Sequence, residues 1–251
     1  MLIRSRCFLI LTALALPVCL SAQGVDSSKI DQVLGRSGEK TGNVYRVSFP
    51  RSDLHVAVHG VSIKAGLALG SWAAFSGSDD DAMVMGDLVL LPAELGPVMA
   101  KLRASGFEIT GIHNHLLGEA PHVMYMHYMG HGKAADLAGS LKSALAMSKT
   151  PLGKPAASAK SETEPAFVKT VESALGHQGK VKGGVLAVNV PRAKSPTMHG
   201  AELSTPQGVA EAMNFQEAGS GQVATTGDFV LTADEVNPVI SALQEIGRAH
   251  V

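Results

Sequence analysis

The sequence has 251 residues, enough for one large or two small domains, and its 45% hydrophobic content predicts a protein with a substantial core. Its formal net charge is −1, with no run of basic and aromatic residues, and this argues against a nucleic-acid-binding protein because phosphate neutralisation needs clustered Lys and Arg. Both cysteines, Cys7 and Cys19, lie near the N-terminus, so the rest of the chain has no thiol for a disulfide or a metal.

Residues 1–24 predict a signal peptide. Arg4 and Arg6 precede an apolar run, 7–20, which is too short to span a bilayer comfortably, and small residues follow it. We therefore expect an exported protein, periplasmic or secreted, with no membrane segment after cleavage. The bulky residues before Cys19 do not fit a lipoprotein signal, so no lipid anchor is expected.

An internal repeat organises the remainder. The segment VLGRSGEKTGNVYRVSFPR (33–51) aligns with ALGHQGKVKGGVLAVNVPR (174–192), and GDLVLLPAELGPVMAKL (86–102) aligns with GDFVLTADEVNPVISAL (227–243), both at an offset of 141. Shared glycines and prolines at one offset indicate a tandem duplication. We predict two homologous domains, 26–146 and 166–251, joined by a linker at 147–165 that is rich in Pro, Ser and Lys.

The second copy is predicted to be incomplete. At the same offset, the counterparts of His113 and His115 would fall beyond residue 251. The last six residues, 246–251, depart from the repeat, so we expect no functional role for His250.

The periodicity of the first copy predicts a mixture of strands and helices. A helix begins at Pro92 and ends at Gly106, because its apolar residues recur at helical spacing. In chain order, the other predictions are strands at 44–49 and 54–63, a strand or irregular segment at 67–75, strands at 82–91, 107–116 and 122–129, and a closing helix at 133–147. Grouped strands with helices after them predict an α+β fold, each copy having a mostly antiparallel sheet with helices.

The stretch GIHNHLLGEAPHVMYMHYMGHG (111–132) holds five of the ten histidines. Because side chains alternate along a strand, His113 and His115 face the same way, and His127 and His131 share a face of the returning strand. If the two strands pair, His113, His115 and His127 meet on one face, and Glu119 in the connecting loop can add a carboxylate.

This constellation predicts a site for a divalent transition metal such as Zn, Fe or Cu, since imidazole and carboxylate ligands suit these ions and leave positions open. The predicted ligands are His113, His115 and His127, with Glu119 as a ligand or general base and His131 as a peripheral ligand. Such a metal can assist chemistry on a small substrate. Three alternatives stay open: a non-catalytic extracytoplasmic protein that binds a metal or small ligand, a catalytic imidazole without metal, and histidines with a structural role.

The methionines around the hairpin have two interpretations. They can fill a core in which aromatic residues are few, at 4% of the chain, or thioether and imidazole together can hold copper. The residues concerned are Met83, Met85, Met124, Met126 and Met129.

Four segments in combination resemble the LppY/LpqO family, also known as domain of unknown function 1259. They are LALGSWAAF, AMVMGDLVLL, GIHNHLLGE and MYMHYMGHG. The resemblance covers most of the chain after the leader, although the second copy lacks a His-Asn-His element. It implies an exported bacterial protein and carries over no activity or catalytic residues.

Overall fold

The computed structural model describes residues 24–153 and 164–246. The predicted signal peptide, apart from Gly24, and the middle of the predicted linker lie outside these ranges. Within them, no helix has the length and apolar character that crossing a membrane would require.

The described chain alternates short helices with antiparallel strands. In the first copy the elements are α1 (Ser27–Leu34), β1 (Glu39–Thr41), β2 (Val44–Pro50), β3 (Ala57–Val58), β4 (Val61–Ser62), α2 (Ala65–Ala68), β5 (Gly70–Gly77), β6 (Ala82–Leu90), α3 (Pro92–Ala104), β7 (Glu108–His113), β8 (Glu119–Ala120), β9 (Met124–Gly132) and α4 (Ala134–Leu145). In the second copy they are α5 (Val168–Leu175), β10 (Lys180–Lys182), β11 (Val185–Pro191), β12 (Thr197–Met198), β13 (Ala201–Glu202), a 3₁₀ turn (Thr205–Gln207), β14 (Ala210–Gly219), β15 (Gln222–Asp228) and α6 (Ala233–Glu245).

The first copy is built on a six-stranded antiparallel sheet in the order β1-β2-β5-β6-β9-β7. Helices α1, α3 and α4 cover one face, because alternate residues of the strands are apolar and point to that side. Burial of each large apolar side chain there stabilises the fold by roughly 1.5–3 kcal/mol. Those that are fully buried include Val47, Phe49, Phe75, Val84, Leu88, Met126 and Tyr128.

The predicted α+β class with mostly antiparallel sheets is therefore confirmed. The segment predicted as one strand at 54–63 instead folds back on itself. His59 and Gly60 both have positive φ angles, 48° and 84°, and this left-handed pair makes the tight turn between β3 and β4. These two strands and β8 form a separate three-stranded sheet.

The second copy repeats the first four strands of this plan. Its sheet runs β10-β11-β14-β15, which matches β1-β2-β5-β6. The register also repeats, since Asp87 lies opposite Trp72 in one sheet and Asp228 lies opposite Ala212 in the other. Helix α5 packs on this sheet through a smaller apolar cluster around Leu186.

The second copy packs on the side of the first sheet that helices α1, α3 and α4 leave uncovered. The carbonyl of Leu67, in α2, accepts hydrogen bonds from Asn214 Nδ2 and Thr226 Oγ1 of the second sheet, each 3.0 Å long. In return, Arg46 Nη1 donates to the carbonyl of Pro206 over 2.8 Å. The junction also contains two apolar clusters, one around Leu67 and Tyr125 and one around Met129 and Leu203.

The start of the predicted linker packs against the first copy. The backbone N–H of Lys149 donates to Glu94 Oε1 over 2.8 Å, and the Arg36 guanidinium donates to the carbonyl of Gly153. Residues 149–153 thus belong structurally with the first copy.

Candidate metal centre

Strand register brings two histidines and one aspartate together on the junction side of the first sheet. Strand β9 runs between β6 and β7, so His127 lies directly opposite Asp87 on one side and Gly111 on the other. His113 lies two residues further along β7, opposite Tyr125, and therefore shares the face of His127. One ligand atom each from Asp87, His113 and His127 lie within 4.8 Å of one another.

The two imidazoles of this group meet through their Nε2 atoms. His113 Nε2 is 2.9 Å from His127 Nε2, and the rings are stacked with an interplanar angle of 16°. On the other side of its ring, His113 Nδ1 is 3.0 Å from the carbonyl of Asn114. A carbonyl only accepts, so Nδ1 carries the proton and the neutral His113 ring has its lone pair on Nε2. This is the arrangement that a metal-ligating histidine needs.

Asp87 supplies the carboxylate. Its Oδ1 is inaccessible to solvent and has no hydrogen-bond partner among the described residues. Burial raises the pKa of Asp87, and the neighbouring charges of His127 and His113 oppose that rise. A buried acceptor without a partner costs about 1–3 kcal/mol, and an ion at this position would offset the cost.

The group fits a transition metal. Two nitrogens and one oxygen at about 2.0–2.2 Å from a common ion lie roughly 3–3.5 Å apart, which falls between the observed 2.9 Å separation and the 4.8 Å limit. Residue 86 has to be glycine for β6 to lie this close to β5 beside Asp87, because a Cβ on residue 86 would lie 2.1 Å from the carbonyl oxygen of Trp72.

His115, a predicted ligand, stands beside the group and pairs with the second copy. Its Nδ1 is 3.0 Å from Asp228 Oδ1, and its ring centroid is 6.3 Å from that of His113. Burial alone would lower the pKa of His115, but the hydrogen bond and charge of Asp228, with the charge of Asp87, raise it.

Glu119, the predicted ligand or general base, lies in the short three-stranded sheet opposite Val58. Its side chain is buried, and Oε1 accepts from the Val123 N–H and lies 2.5 Å from His122 Nδ1. The carboxylate that joins His113 and His127 is therefore that of Asp87, whereas Glu119 pairs with a different histidine.

His131, the predicted peripheral ligand, is exposed near the end of β9 and lies opposite Met83. Its ring meets the ring of His199, from the second copy, edge to face at 5.7 Å. Three of the methionines of this region are buried in apolar clusters: Met126 belongs to the helix-side core, while Met83 and Met129 lie at the junction between the copies.

Asp87 is the member of the group that was not predicted from the sequence. The repeat contained a signal for it, because the dipeptide Gly-Asp opens the second pair of aligned segments at 86–87 and 227–228. An aspartate that both copies retain at one position, and that lies in an otherwise apolar strand of the first copy, is a candidate site residue.

The fold and the site define a duplicated α+β protein with a candidate His/Asp metal centre at the junction of its copies. The profile of the Domain of Unknown Function (DUF1259) matches residues 28–147 and 169–249. The chain therefore belongs to this family, and the two matched segments agree with the tandem duplication. Neither the search of curated proteins nor that of solved structures found a match.

Proposed function

We propose that the protein binds one divalent transition metal through His113 Nε2, His127 Nε2 and the Asp87 carboxylate. The observation that carries the proposal is the solvent-inaccessible Asp87 Oδ1, which has no hydrogen-bond partner in the described part of the chain. It lies beside two imidazoles whose Nε2 atoms are 2.9 Å apart. We also propose that the protein is exported, on the strength of the basic and apolar N-terminal sequence.

Two histidines and one carboxylate leave coordination positions open for water or a small ligand. The same donor set holds catalytic zinc and non-haem iron in other proteins. A metal held in this way can polarise a carbonyl or lower the pKa of a bound water, so metal-assisted chemistry on a small substrate is the activity that the donor set supports.

A non-catalytic metal-binding or ligand-binding role is the second candidate. The observation that favours it concerns Glu119, whose carboxylate is engaged by His122 and the Val123 N–H and is not a member of the group. The described group therefore contains no carboxylate besides that of Asp87, which the metal itself would occupy.

The proposal is tested by titrating untagged protein with Co²⁺ and Zn²⁺ and by measuring bound metal after desalting. The wild type is expected to bind about one equivalent, because the three ligands form one group. His113→Ala, His127→Ala and Asp87→Ala should each weaken binding at least about 100-fold, since loss of a ligand costs more than the 10–100-fold typical of outer partners.

Two variants serve as matched controls. Asn114→Ala alters the same motif but leaves the backbone carbonyl that holds His113, and His177→Ala removes an exposed histidine elsewhere. Both should bind metal like the wild type. A wild type that binds less than about a tenth of an equivalent, or ligand variants that bind as the controls do, would overturn the proposal.

A further inference from the structure

The second copy reaches the candidate centre through Asp228, at the end of β15. Its Oδ1 lies 3.0 Å from His115 Nδ1, and the His115 side chain is only 11% exposed. His115 belongs to the first copy and is two residues from His113, so this contact joins the two copies beside the Asp87/His113/His127 group.

Asp228 is also the repeat counterpart of Asp87. Both follow a glycine in the aligned segments, and both occupy the same register position in their sheets. The two equivalent aspartates therefore converge on one place at the junction, one as a member of the group and the other through His115.

The position of Asp228 is fixed by neighbouring contacts between the copies. Two residues before it, Thr226 donates to the carbonyl of Leu67, and Asn214 on the adjacent strand donates to the same carbonyl. Farther along that strand, the amide of Gln216 donates to the Ser62 carbonyl and accepts from the Lys64 N–H. The end of β15 is thus anchored to the first copy.

The contact with the Asp228 carboxylate favours the tautomer of the neutral His115 ring that has its proton on Nδ1. A neutral histidine that donates from Nδ1 to a carboxylate has its lone pair on Nε2, and metal-ligating histidines commonly make such a bond. The centroids of the His113 and His115 rings are 6.3 Å apart. Two imidazoles bound to one ion at metal–nitrogen distances of about 2.0–2.1 Å would have centroids roughly 4.5–5.2 Å apart, so the His115 ring must turn towards the group to reach the same ion.

We propose that the metal centre is composite: His115 is its fourth protein ligand, and Asp228 of the second copy is the positioning residue that holds His115. This inference rests on the metal site proposed above. Four ligands still leave two positions open on an octahedral ion such as Fe²⁺ or Co²⁺. The second copy then contributes to the centre directly, although it does not supply a member of the three-residue group.

The test is a double-mutant cycle on full-length, untagged protein, read by Co²⁺ affinity and by the visible absorption of bound Co²⁺, which reports its ligands. His115→Ala, which removes a ligand, should weaken Co²⁺ binding at least about 100-fold, and Asp228→Ala, which removes its positioning partner, should weaken it about 10–100-fold. Both variants should shift the spectrum. The double variant should bind no more weakly than His115→Ala, because Asp228 acts through that ring. Asp228→Asn keeps an acceptor and should recover part of the affinity.

Asp234→Ala, an exposed aspartate of the second copy, is the control and should match the wild type. The Asp228 side chain is 63% exposed, so its removal should leave the fold intact. If Asp228→Ala keeps wild-type affinity and spectrum while His113→Ala loses metal, the composite centre is wrong and the metal site stands. Losses that multiply in the double variant would equally exclude action through His115. If the wild type binds no Co²⁺, both proposals fail.

Discussion

Asp87 is a charged residue in the middle of a largely apolar strand. Its neighbours on β6, Gly86 and Leu88, are buried, and its Oδ1 lacks a hydrogen-bond donor among the described residues. A carboxylate in this setting destabilises the fold in the absence of a cation, and a bound metal would reverse the effect.

The variant Asp87→Asn separates the cost of burying the carboxylate from the stabilisation by a bound metal. Asparagine has nearly the same shape without the charge, so the metal-free variant is expected to be at least as stable as the wild type. Zn²⁺ at 100 times its Kd should stabilise the wild type by about 2.7 kcal/mol, or roughly 5–10 °C in Tm for a protein of this size, and the variant should lose that rise.

Thermal unfolding with Zn²⁺ and with a chelator measures both effects. The exposed Asp136→Asn substitution is the control and should retain the full rise. An equal rise in Asp87→Asn would show that the stabilising metal binds elsewhere.

Which site residues could be predicted from the sequence depends on their distance along the chain. Strand alternation within one hairpin was enough to place His113 and His127 on one face, as the register of β7 and β9 confirms. Asp87 could not be placed in that way, because its contact depends on β6 being the other neighbour of β9. Sheet order is set by packing of the whole copy, and periodicity does not report it.

At the scale of elements, the duplication provides two versions of one ion pair at the start of a helix. In the first copy, Arg51 is fully buried and donates to Glu94, which also accepts from the Leu91 N–H. In the second, Arg192 pairs with Glu235, which accepts from the Thr232 N–H. The glutamate side chains differ in exposure, 9% for the first and 38% for the second.

Glu94→Ala should therefore destabilise the protein much more than Glu235→Ala. Removal of Glu94 leaves a buried guanidinium without this partner, which costs about 3–5 kcal/mol, whereas the exposed pair is screened by solvent. Urea unfolding of the two variants measures the difference. Equal losses would show that the burial of Arg51 does not determine the strength of the pair.

The Arg51–Glu94 pair predicts that the free energy of unfolding depends on pH. Burial alone would raise the pKa of Glu94, but hydrogen bonds from Lys149 N–H, Arg51 and Leu91 N–H lower it overall. A carboxyl whose pKa is lowered by folding stabilises the protein above its ordinary pKa and loses that contribution as the pH falls through the folded value. The stability gap between the wild type and Glu94→Ala should accordingly narrow on acidification.

The predicted bounds of helices and strands were most accurate where the hydrophobic pattern continued over many consecutive residues. Helix α3 begins at Pro92 as expected, and Glu94 accepts from the Leu91 N–H there. The segment 54–63 was predicted as one strand because its alternation continues through the turn, and the left-handed conformation of His59 has no signature in the residue pattern.

At the scale of the whole molecule, the repeat predicted two related copies but not their arrangement. They pack through reciprocal contacts, with α2 against the second sheet and the Pro206 carbonyl against Arg46 of the first. These contacts join residues far apart in sequence, and only the folded chain brings them together. The candidate centre lies at this junction, where Asp228 contacts His115.

The most direct measurement of the central claim is anomalous diffraction from crystals of the protein loaded with Zn²⁺ or Co²⁺. We predict one strong peak, about 2.0–2.2 Å from His113 Nε2, His127 Nε2 and a carboxylate oxygen of Asp87. A saturated crystal with no peak at this position, or with its peak only at other residues such as His131 and His199, would contradict the account.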